Sequence, residues 1–112
     1  MKDIIDIAGA SGALYRFRRH AKGRELPATA GNFLYVRQTR QGFDLICCGE
    51  TSTLNRAYGL WDQAREDHQT THVFLRLNVT SATRRLEHAD IVALHRPPLA
   101  PSDQMGNTAI RP

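Results

Sequence analysis

Apolar and polar residues alternate over short stretches of this chain, and the alternation changes period twice. In LYRFRR, Tyr15 and Phe17 fall on one side of an extended backbone and Arg16 and Arg18 on the other, the period of two expected of a half-buried strand. NFLYVRQ (32–38) is rich in aromatic and β-branched residues and predicts a second strand. FDLICC (43–48) predicts a third, ended by Gly49. Only a short turn with Arg40, Gln41 and Gly42 separates these two, so an antiparallel hairpin is expected. HVFLRLNV (72–79) sets Val73, Leu75, Leu77 and Val79 against His72, Phe74, Arg76 and Asn78, again a strand. DIIDIAGA (3–10) fits a short strand or a helical turn equally, and GASG after it marks a turn.

Helical spacing takes over in two places. Leu54, Ala57, Trp61 and Ala64 recur every three or four residues, predicting an amphipathic helix to about Asp67, capped by Ser52 or Thr53 and weakened at Gly59. A second helix is predicted from Thr80 or Ser81 to His95, where Pro97 and Pro98 stop it. With each residue turning about 100°, Leu86, Ala89, Ala93 and Ala82 form its expected apolar stripe. Glu87 falls between Leu94 and Ile91, a place that is not plainly solvated. Strand, strand, strand, helix, strand, helix predicts an α+β fold, with a small mixed or antiparallel sheet of three to four strands flanked by two main helices.

Length narrows this to one domain. The chain has 112 residues, 41% hydrophobic, and domains commonly run to about 100–150 residues. Residues 1–99 are expected to form it and 100–112 an extended tail. No apolar run approaches the roughly 20 residues of a membrane span, so no membrane partner is expected. The N-terminal stretch lacks a secretory pattern. Cys47 and Cys48 are adjacent, which excludes a disulfide framework. These features point to a cytoplasmic protein with reduced thiols.

Charge adds a partner class. Lys plus Arg number 15 against 11 Asp plus Glu, for a net charge of +4, and only Lys2 and Lys22 of the fifteen are lysine. Arginine forks match phosphate oxygens bidentately. Arg16, Arg18, Arg19, Lys22 and Arg24 cluster within nine residues. They suit either a phosphate-tracking edge or the charged protection of an exposed sheet edge.

From Gly31 to Leu99 the chain resembles the GIY-YIG endonuclease family, through order and spacing more than identity. Gly31-Asn32-Phe33 stands where that family has Gly-Ile-Tyr, and Cys47-Cys48-Gly49 where it has Tyr-Ile-Gly. Glu50-Thr51-Ser52-Thr53-Leu54 looks like its turn into the helix, and Arg56 follows Gly49 by seven residues. Glu87 matches the metal-binding glutamate, and Pro97-Pro98-Leu99 the closing turn, with Ala100 in place of an asparagine. Phe33 and Cys47 replace the motif tyrosines, although Tyr35 lies on the same strand face as Phe33.

The resemblance implies a site made of Arg56, Tyr35, Phe33 and Gly49, with Glu87 holding Mg²⁺. There the metal and guanidinium would neutralise charge on a phosphodiester. It implies a nucleic-acid partner, DNA more than RNA; the candidate contacts are the basic run of Arg16, Arg18, Arg19, Lys22 and Arg24, together with Arg84. Because the phenol positions are substituted, the expected function is nucleic-acid binding with weak or lost cleavage. An active Mg²⁺-dependent nuclease is one alternative, and a protein-interaction module on the same scaffold is another.

Overall fold

The computed structural model describes residues 1–103. Its strands are β1 (Ile4–Ala8), β2 (Leu14–His20), β3 (Gly31–Gln38), β4 (Phe43–Thr51) and β5 (His72–Leu77). Its helices are α1 (Trp61–His68) and α2 (Ser81–His95), with a 3₁₀ turn at Leu54–Arg56. The five strands form one sheet in the order β1-β2-β5-β3-β4, every neighbouring pair antiparallel. The α+β class matches expectation, while the sheet is one strand wider than the three to four predicted. The extra strand is β1, whose sequence also allowed a helical turn. Register settles it, because Ile5 and Ile7 lie opposite Phe17 and Tyr15 and extend the same apolar face.

Each sheet face carries its own core. Phe33, Tyr35, Cys47 and Val73 pack under Leu54, Ala57, Trp61 and Ala64. On the other face, Leu34, Cys48, Phe74, Phe17 and Ile7 gather around Ile91 of α2. A strand covered on both faces is expected to be largely apolar, and Gly31–Val36 is buried without a break, with the polar Asn32 held by hydrogen bonds. That is why β3 shows no alternation, while half-covered β2 does.

The first predicted helix is split. Thr53 caps the 3₁₀ turn by accepting from the Asn55 N–H, and α1 begins only at Trp61. The break frees backbone groups, and Tyr35 takes them up. Its buried hydroxyl donates to the Ala57 carbonyl at 2.5 Å and accepts from the Leu60 N–H at 3.2 Å. Gly59 lies inside this interruption.

α2 spans the predicted residues but turns a different side inward. Leu86 is 70% exposed, and Ala82, Ala89 and Ala93 are exposed with it, so the apolar stripe faces outward. The buried residues are Arg84, His88 and Ile91. Polar partners on the sheet reverse the preference: Arg84 meets Glu50, and His88 Nε2 donates to the Cys48 carbonyl. Asp90 fastens the β1–β2 turn by accepting from Ser11 and from the Tyr15 hydroxyl.

The chain then returns to the sheet. Leu99 and Ser102 bridge to Cys47 and Glu50 in parallel sense, and the Cys48 and Glu50 N–H groups donate to the Leu99 and Pro101 carbonyls. This strap lies along β4, an outer strand whose unpaired edge would otherwise be open to pairing. The first residues of the expected tail are therefore docked, and 104–112 lie outside the described residues. No described helix is long and apolar enough to cross a membrane.

Candidate nucleic-acid interface

Directly opposed strand residues share a face, so one row across the sheet reads Ile4, Arg18, Leu75, Phe33, Gly49. The right half of this row packs beneath α1 and its preceding turn. The left half stays open. There Arg16 and Arg18 are exposed among the apolar side chains of Ile4, Leu14 (66% exposed) and Leu77 (62%). The loop after β2 brings Arg24 over the same surface, and Ile4, Arg16, Arg18, Arg24 and Leu77 border a cleft of about 980 Å³.

Within the basic run the cations divide by partner. Arg16 pairs with Asp6 at 3.1 Å and Arg19 with Asp3 at 2.6 Å. Arg18, Lys22 and Arg24 have no ion pair among the described residues. Arg18 and Arg24 line this large cleft, while Lys22 lines the next one, which shares Arg19 and His20 with it. Arg84, expected on the surface with them, is instead buried. Its Nε donates to Glu50 at 2.5 Å and its Nη1 to the Asn78 and Val79 carbonyls, so these donors serve the protein's interior and not its surface.

The residues matched to GIY-YIG positions do not converge on one hollow. Arg56 is exposed and lines a cleft of about 400 Å³ with Phe33, Glu50, Thr51, Ser102 and Asp103. Gly49 lies under the Phe33 ring, which fills the place where a Cβ would stand, so any other residue there would displace the ring. Tyr35 lies in the core beneath Ala57, opposite Cys47 on β4. Burial raises its phenol well above the ordinary range, aided by Cys47. Burial also raises both thiols, Cys48 to about 12.

Glu87 belongs to a different cluster. Its side chain is 13% exposed and pairs with Arg76, not with Arg56. Oε1 accepts from Arg76 Nε at 2.9 Å and from Asn78 Nδ2 at 2.8 Å, while Oε2 accepts from Arg76 Nη2 at 3.4 Å. A fixed guanidinium thus holds the side of the carboxylate that a divalent cation would need. Among the described residues no three His, Cys, Asp or Glu side chains group as metal ligands. The Glu87 carboxylate is engaged by Arg76 and Asn78, which a divalent cation bound there would have to displace.

Sequence reasoning missed the buried polar chain that joins these parts. Arg76 and Asn78 bind Glu87, Asn78 donates to Asn32, Asn32 donates to the Arg84 carbonyl, and Arg84 binds Glu50. Ser102 of the strap closes it with a 2.5 Å hydrogen bond to Glu50 Oε1. Burial pushes the Glu50 carboxyl upward, but hydrogen bonds from Ser102 and Arg84, with the Arg84 charge, bring it below its usual range. The available signal was Glu50 itself, a carboxylate separated only by Gly49 from the apolar run 45–48 and inside β4.

No protein-family model matches this chain, and neither the curated proteins nor the solved structures give a significant match.

Proposed function

We propose that the chain is a GIY-YIG-like cytoplasmic module that grips a nucleic-acid backbone and does not cut it. The observation that carries this reading is the open sheet face, where unpaired Arg18 and Arg24 flank one cleft with Arg16 and Arg19. Arg18 and Arg24 meet phosphates without first breaking an ion pair, so little is lost on binding. The order of strand, hairpin strand, helix, strand and helix supports the family resemblance. Against cleavage, Tyr35 is committed to backbone groups and Glu87 to Arg76 and Asn78. No hydrolytic step is assigned to them.

Fluorescence anisotropy with labelled duplex DNA and RNA tests this. Binding should fall with salt by about 0.9 log units per log unit for each phosphate neutralised on DNA. Arg18→Ala with Arg24→Ala should lower that slope by about 0.9 for each phosphate no longer neutralised. Unchanged binding in the double variant would reject the interface, and a Mg²⁺-dependent nick in plasmid DNA would reject the non-cutting reading.

The exposed leucines on the same face favour a second reading, a docking surface for a protein. It predicts that Leu14→Ser with Leu77→Ser releases a nuclease-resistant partner while leaving nucleic-acid affinity unchanged.

A further inference from the structure

A second cleft, of about 510 Å³, lies where the β2 end, the loop after it and the α1–β5 connection meet. Arg19, Lys22 and Arg65 border it, and no carboxylate does. Asp3 reaches Arg19 from outside the lining, leaving Lys22 and Arg65 without an ion pair among the described residues. His72, also in the wall, is lowered by burial, by the N-terminal ammonium and by Arg19, which marks this place as a region of positive potential.

The wall has a second peculiarity. Among the described residues, the buried side-chain polar atoms lacking a hydrogen-bond partner are Trp61 Nε1 and Thr70 Oγ1. Both residues line this cleft. A buried group of this kind costs about 1–3 kcal/mol if left unpaired, so two beside one cationic cleft ask for an acceptor. Neither atom has accessible surface of its own. A ligand oxygen taking up either donor would require that side chain to move.

We propose that this cleft binds a phosphate monoester dianion, with Lys22, Arg65 and Arg19 supplying charge and Thr70 and Trp61 supplying the inner donors. Only acceptor oxygens suit such a lining, and a dianion uses the cationic excess best. The cleft shares Arg19, His20 and Ala21 with the larger one. A strand held by Arg18 and Arg24 would thus lead its terminal phosphate here. That source rests on the proposed function, whereas binding of a free phosphate does not.

Trp61 is the chain's one tryptophan, so its fluorescence reports on this cleft directly. Titration of the whole protein with inorganic phosphate, at ionic strength held constant with chloride, should give a saturable change. Lys22→Ala with Arg65→Ala should weaken it by about tenfold without changing the circular dichroism spectrum. Thr70→Val should weaken it too while raising Tm, because the unpaired hydroxyl is gone. A flat titration, or a double variant that binds as well as the parent, overturns the proposal and leaves the Arg18–Arg24 interface standing. Oligonucleotides with a 5′-phosphate or a 5′-hydroxyl then distinguish the sources. Tighter binding of the phosphorylated strand assigns the site to strand ends, and equal binding assigns it to free phosphate or a mononucleotide.

Discussion

Glu50 and Arg84 form an ion pair sealed inside the protein, with 0% and 5% of their side chains exposed and 2.5 Å between Oε2 and Nε. Charges taken from water are costly unless paired and fully hydrogen-bonded. Ser102, Asn78 and Val79 supply the remaining partners. Removing one member should therefore harm more than removing both.

Glu50→Gln is expected to destabilise the protein by about 3 kcal/mol, because Arg84 would stay buried without a counter-charge. Glu50→Leu combined with Arg84→Met should recover most of that loss, as measured by urea denaturation. The pair also sets an acid dependence. The folded-state pKa of Glu50 lies below its ordinary value of 4.5, so the stabilisation is complete above that value and is lost as pH falls through the folded pKa. Stability measured from pH 6 downward should fall less steeply in Glu50→Gln than in the parent.

Tyr35→Phe tests the phenol's structural role. The Ala57 carbonyl and the Leu60 N–H would lose their partner at the break before α1. A loss of about 1–3 kcal/mol is expected, with nucleic-acid affinity unchanged at temperatures where the variant is folded. An unchanged Tm would show that these two groups find other partners.

Glu87→Gln addresses the carboxylate that the family resemblance marks as a metal ligand. Its amide can replace only part of the hydrogen bonding to Arg76 and Asn78, so a cost of about 1–3 kcal/mol is expected. The thermal shift produced by Mg²⁺ should be the same in variant and parent. A Mg²⁺ stabilisation present in the parent and absent in Glu87→Gln would restore the carboxylate as a ligand.

Much of this fold was legible because its strands and helices follow the ordinary periods. β2 and α2 lie where Tyr15-x-Phe17 and the Pro97–Pro98 stop place them. What escaped was written in polar residues that turn inward. Leu86 and its alanines imitate a core stripe, yet α2 buries Arg84 and His88 because Glu50 and the Cys48 carbonyl await them across the chain. Periodicity registers hydrophobicity and cannot register a partner 34 residues away. The helix break at Gly59 was partly visible, but its stabilising agent, Tyr35, sits in another strand. The basic run was visible as composition, whereas its division into paired and unpaired arginines depends on Asp6 of neighbouring β1 and on Asp3 just before it.

The strap along β4 has a practical consequence for handling the molecule. At Asp103 the described chain stands on the flank of the sheet opposite β1 and β2. The amino terminus instead bears electrostatically on His72, in the wall of the Lys22–Arg65 cleft. A purification tag or fluorophore fused before Met1 would crowd the very surfaces that binding measurements are meant to probe.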